Sequence, residues 1–101
     1  MAIAMTEEQE HKFEETGFVI LENFLRPREL VRLSNAVDEV VERIQKEKGL
    51  GVETHFQVRN ALVHHDAFLD LVDHPRMLPL VVDAIGWNIQ IRTTHLDYRP
   101  P

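Results

Sequence analysis

His95-Leu96-Asp97 is the segment whose residue types and spacing best suit chemistry. On a strand, residues i and i+2 project from one face, so this imidazole and carboxylate could bind one metal ion together. Non-haem iron sites of the 2-His-1-carboxylate type use such ligands. The third ligand normally lies far downstream, and here it would have to be an upstream histidine: His11, His55, His64, His65 or His74. The sequence therefore favours a pocket-lining role for the pair over metal binding.

The other histidines and two arginines allow simpler interpretations. His64-His65-Asp66 places adjacent side chains that point apart, so we expect His65 or Asp66 to cap a helix rather than share a metal. Arg59 and Arg92 lie in predicted strands. Each could bind an anionic ligand through two hydrogen bonds or pair with one of the chain's carboxylates, and the sequence leaves both alternatives open.

Composition narrows the classes of function. The 101 residues carry a formal net charge of −6 and form no basic stripe, which argues against a nucleic-acid partner. There are no cysteines, so disulfides and thiolate metal sites are excluded. No apolar run approaches the length of a membrane span, so we expect no membrane partner and a cytoplasmic protein. The length suits one domain, residues 1–101, with residues 1–5 expected to be disordered.

Helices and short strands alternate along the chain, which predicts an α+β fold. Thr6 opens a capping box and Gly17 ends the first helix, after which residues 18–21 are predicted to form a buried strand. Pro27 begins a long helix that ends near Gly49. Its apolar stripe comprises Leu30, Leu33, Val37, Val40, Val41 and Ile44. Further predictions are a strand over residues 56–62, helices over 66–73 and 75–85, and a strand over 87–97.

Three segments together resemble the opening of the phytanoyl-CoA dioxygenase family. Residues 13–25, FEETGFVILENFL, are similar to the family's start, in which a helix precedes a glycine and an apolar run. The long amphipathic helix from Pro27 is the second segment. The third is the strand over residues 87–101, which ends in Arg99-Pro100-Pro101 and resembles a signature of a basic residue followed by two prolines.

The resemblance implies an Fe(II)- and 2-oxoglutarate-dependent dioxygenase that hydroxylates a small-molecule substrate within a double-stranded β-helix (jelly-roll, cupin-like). The chain would supply the N-terminal helices and first strands of an incomplete barrel. The family's iron-binding motif follows the two-proline signature, so the resemblance removes His95 and Asp97 from the iron ligands and leaves no catalytic or metal residue predicted here. It places His95 near the 2-oxoglutarate pocket, with Gln57 or Arg59 from the earlier strand. We expect the chain alone to be inactive and to bind neither cofactor stably.

The alternative is a non-catalytic α+β module that binds a small acid or a partner. A chain that ends just after a strand would leave strand edges unpaired, so self-association is expected of this form. A metal site that combines His95 and Asp97 with an upstream histidine is a third hypothesis.

Overall fold

The computed structural model describes residues 5–101. Its elements, in chain order, are α1 (Glu7–Thr16), α2 (Pro27–Lys48), β1 (Phe56–Arg59), a 3-10 turn (Ala61–Val63), α3 (Asp66–Leu69), α4 (Leu78–Ile85) and β2 (His95–Tyr98). The α+β prediction is thus confirmed. The elements fall into two compact units, residues 5–24 with Leu71–Gln90, and Leu25–Asp70 with Ile91–Pro101. Within residues 5–101, no helix combines the length and the apolar composition needed to cross a bilayer.

The first unit contains α1 and α4, and local signals fix both ends of α1. The hydroxyl of Thr6 accepts a hydrogen bond from the Gln9 N–H at 3.1 Å, and the Gln9 side chain accepts one from the Thr6 N–H at 3.0 Å. This is the predicted capping box. Gly17 ends α1 in the left-handed conformation, at a φ of 83° that glycine adopts without a Cβ clash. Residues 1–4 of the segment expected to be disordered lie outside the described residues, whereas Met5 is buried and its N–H donates to Asp83 Oδ2.

The second unit is built around α2. Pro27 occupies its first turn and Gly49 follows its last residue at a φ of 64°, so both predicted ends are confirmed. Its buried face packs against β1, the 3-10 turn and α3, and the buried core consists of Ala36, Val40, Ile44, Val58, Ala61, Ala67 and Phe68. Leu30, which the stripe includes, is 51% exposed, so the stripe packs on the core from Leu33 onwards.

All three strand predictions are wrong in extent. Residues 18–21 form no strand, because the ladder formed within the described residues joins β1 to β2 alone, and Phe18 and Ile20 are exposed rather than buried. The strand predicted over residues 56–62 ends at Arg59. The strand predicted over residues 87–97 is reduced to His95–Tyr98. Its partner stops at Arg59, since Asn60 adopts a left-handed φ of 57° and turns the chain out of the ladder.

Both short helices are shorter than predicted. Turns occupy the chain between α3 and α4, so α3 ends at Leu69 and α4 begins at Leu78 rather than at Pro75. The buried His74 contributes to this break, because its Nδ1 accepts a hydrogen bond from the Arg76 N–H at 3.1 Å. Proline also disfavours helical geometry in the residue that precedes it. Gly86 ends α4, as predicted.

Candidate functional site

The outer face of the β1–β2 ribbon carries Gln57, Arg59 and His95, the residues that the resemblance implies lie near the 2-oxoglutarate pocket. The strands are antiparallel, with Gln57 opposite Asp97 and Arg59 opposite His95. Residues directly opposite one another share a face of the sheet, and side chains two apart along a strand do so as well. The four side chains therefore lie together on one face, and all four residues are exposed. We call these four residues the polar face.

The opposite side of the ribbon attaches it to the core. Val58 is buried in the core and Leu96 packs against it. The rings of Phe56 and Tyr98 lie 5.1 Å apart between centroids, and the Tyr98 hydroxyl donates to the carbonyl of Val52 at 2.9 Å. These contacts fix the register of β1 against β2, and with it the pairing on the polar face.

The ribbon ends beside the Arg59–His95 pair, where β1 leads into the 3-10 turn. The N–H groups of Asn60 and Ala61 both point to the carbonyl of Thr94, at 2.8 and 3.4 Å. The Thr94 hydroxyl oxygen is buried and has no hydrogen-bond partner among the described residues. The two strands are thus held together next to Arg59 and His95.

The polar face holds one internal hydrogen bond and two side chains without partners. The Gln57 Nε2 donates to Asp97 Oδ1 at 2.8 Å. The side chains of Arg59 and His95 make no hydrogen bond or ion pair with any residue in the range 5–101. A guanidinium group presents five N–H donors in a planar fork that matches a carboxylate, and an imidazole beside it can add another donor. This end of the polar face can therefore bind an organic acid.

Comparison with known proteins identifies the family. The family model for phytanoyl-CoA dioxygenase matches residues 13–98. This chain belongs to the phytanoyl-CoA dioxygenase family. The match confirms the resemblance and suggests an oxygenase-type function for the chain. Neither a search of curated proteins nor a search of solved structures found a match.

Two other histidines of this family member, His64 and His65, make contacts that hold the fold together. His65 caps α3, because its Nδ1 accepts from the Ala67 N–H at 3.0 Å, and its Nε2 lies 3.0 Å from Glu39 Oε2. His65, rather than Asp66, is therefore the capping residue. His64 accepts a hydrogen bond from Arg43 through its carbonyl at 2.9 Å.

A metal site that uses His95 and Asp97 is not supported. Across the described part of the chain, no three His, Asp or Glu side chains come close enough to hold a metal ion. Arg92 is exposed and outside the ribbon, so of the two strand arginines only Arg59 joins the polar face.

The contacts that the sequence did not predict are those between distant residues. The resemblance removes Asp97 from the iron ligands and gives it no other role, yet it accepts the hydrogen bond from Gln57, 40 residues earlier. The alternation of β1 and β2 indicates which residues share a face within each strand. It does not give the register between the strands, so the Gln57–Asp97 contact had no signal in the sequence.

Proposed function

We propose that this chain takes part in the Fe(II)- and 2-oxoglutarate-dependent hydroxylation of a small-molecule substrate, within a double-stranded β-helix of the cupin-like kind. When both are bound, iron and 2-oxoglutarate supply the activation of O2, by which a substrate C–H bond becomes C–OH while 2-oxoglutarate loses CO2 and becomes succinate. Membership of the phytanoyl-CoA dioxygenase family supports this chemistry.

The contribution of this chain is to bind one carboxylate of 2-oxoglutarate on the polar face. The observation that carries the proposal is the cross-strand pairing of Arg59 with His95, whose side chains have no partners within residues 5–101. Arg59 pairs with the carboxylate through two N–H groups, and His95 donates a further hydrogen bond. The Gln57 amide has a second N–H beyond the one given to Asp97, and this N–H remains available to the carboxylate bound by Arg59 and His95.

The described residues do not fit the iron. Fe(II) of this type needs two histidines and a carboxylate around one position, and residues 5–101 contain no such group. The metal therefore has no role in the part of the mechanism assigned here. Cosubstrate binding and turnover are accordingly separate properties, and we expect these residues alone to bind 2-oxoglutarate weakly without oxidising it.

The test is a titration with 2-oxoglutarate followed by NMR or calorimetry. In the wild-type chain, we expect the amide signals of β1 and β2 to shift. Arg59→Gln removes the charge-assisted hydrogen bonds between the guanidinium group and the carboxylate of 2-oxoglutarate. Hydrogen bonds to charged groups contribute about 1.5–3 kcal/mol, so the affinity of this variant for 2-oxoglutarate should fall at least about tenfold. Arg28→Gln, which removes the same charge from an exposed position on α2, should leave the affinity within about twofold.

Two results contradict the proposal. Equal losses in both variants would mean that net charge alone, rather than the polar face, governs binding. The absence of any shift in β1 and β2 at saturating 2-oxoglutarate would place the cosubstrate elsewhere. A separate assay with added Fe(II) should yield no succinate, and turnover would refute the assignment of binding alone to these residues.

A further inference from the structure

Asp97 places a negative charge in the middle of a basic surface. On one side of it lie Arg59 and His95. On the other, a concavity at the end of the ribbon is lined by Asp97 together with His55 and Arg99. The Asp97 carboxylate forms no ion pair within residues 5–101, and the contact it makes is the hydrogen bond from Gln57. Its charge is therefore not neutralised by a salt bridge in the described protein.

The spacing of the pairs decides what this charge does to a dicarboxylate. Adjacent pairs on one face are separated by two residues, or about 6.7 Å along the strands. The two carboxylate carbons of a five-carbon dicarboxylate are four C–C bonds apart, which is about 5 Å when extended. If one carboxylate binds Arg59 and His95, a ligand that lies along the strands brings its other carboxylate onto Asp97. The basic groups beyond Asp97 are about 13 Å away along the strands, too far for the same ligand to reach.

We propose that Asp97 is a specificity-determining residue of the polar face, which repels the second carboxylate of a bound dicarboxylate and makes the ligand point away from the Gln57–Asp97 pair. This inference rests on the proposed function and adds an orientation to it. A monocarboxylate that binds at Arg59 and His95 has no second charge to be repelled. Asp97 therefore weakens the binding of dicarboxylates more than that of monocarboxylates, and it sets the direction in which dicarboxylates lie.

The test compares two 2-oxo acids that differ in the second carboxylate, 2-oxoglutarate and 2-oxobutyrate. Asp97→Asn removes the charge and keeps the size of the side chain and an oxygen that can accept from Gln57. At about 0.01 M ionic strength, where the Debye length is about 30 Å, we expect this variant to bind both acids about threefold more tightly, because the carboxylate at Arg59 and His95 lies about 7 Å from Asp97. A second carboxylate that points away from Asp97 lies about 12 Å from it, so the gain for 2-oxoglutarate should exceed the gain for 2-oxobutyrate by about a further twofold. Both gains should vanish in 1 M salt.

Asp38→Asn is the matched control, because Asp38 is an exposed carboxylate on α2 and its removal changes the net charge equally. A gain of the same size in this control, or an equal gain for both probes, overturns the role of Asp97. Binding that depends on Arg59 but not on Asp97 overturns this inference and leaves the proposed function intact. If neither probe binds to the wild-type chain or to either variant, the proposed function fails as well.

Discussion

The inner and outer faces of the β1–β2 ribbon are made by alternate residues of the same eight-residue ladder. The two faces differ in the contacts that their side chains make with the rest of the described chain. On the inner face, Val58 is 4% exposed and Leu96 packs against the same core. On the outer face, Gln57 and Asp97 contact each other, while Arg59 and His95 contact no other side chain by hydrogen bond or ion pair within residues 5–101.

The difference separates residues that determine the fold from residues that we propose bind a ligand. Burial of the inner side chains removes apolar surface from water and holds the ribbon on α2. The outer side chains add little to this, since exposed polar groups are already solvated. A substitution on the inner face should therefore change stability, and one on the outer face should change binding.

The largest expected effect is on the inner face. Val58→Asp would bury a charge without a partner, and such a charge costs at least about 3 kcal/mol of the free energy of unfolding. Urea denaturation followed by circular dichroism measures this loss. Thr93→Asp introduces the same charge at an exposed position of similar side-chain size, and should change the free energy by less than about 0.5 kcal/mol. An unchanged denaturation midpoint for Val58→Asp would show that the ribbon does not pack on the core.

The second prediction extends the contrast between buried and open faces to α2, beneath the ribbon. Val40 is fully buried, whereas Leu30 on the same helix is 51% exposed. Val40→Ala removes two methyl groups and leaves a cavity, so we expect a loss of about 2 kcal/mol in the free energy of unfolding. Leu30→Ala should lose less than about 0.5 kcal/mol, although leucine is the larger side chain. Equal losses in the two variants would mean that the N-terminal end of the stripe, at Leu30, is covered in the folded protein.

The helix α2 was predictable because its signals are local. Pro27 at its start, Gly49 after its end and the helical spacing between them each act within a few residues. The segment over residues 87–94 shows why strands are harder. Its alternation is as regular as that of β2, but a strand exists only where another strand pairs with it, and β1 ends at Arg59. That ending depends on the left-handed conformation of Asn60, which the sequence does not specify.

For the candidate site, the residues could be selected before the structure was known, but their arrangement could not. The resemblance to the family selected His95, Gln57 and Arg59, and the register of the ribbon places them on one face. A shift of one residue in this register would have moved the side chains of one strand to the opposite face. The register depends on contacts such as that of Tyr98 with Val52, 46 residues apart, and no local pattern encodes them.

The smallest expected effect lies on the outer face and concerns the Gln57–Asp97 hydrogen bond. In a double-mutant cycle with Gln57→Ala and Asp97→Ala, we expect a coupling of about 0.5 kcal/mol in the free energy of unfolding, since cross-strand polar pairs contribute in this range. Arg59→Ala with His95→Ala is the matched cycle on the neighbouring pair, whose side chains share no hydrogen bond. Its coupling should stay below about 0.2 kcal/mol. A coupling in the second cycle equal to that in the first would show that Arg59 and His95 already stabilise each other, and the polar face would then have less capacity to bind a carboxylate than the proposed function requires.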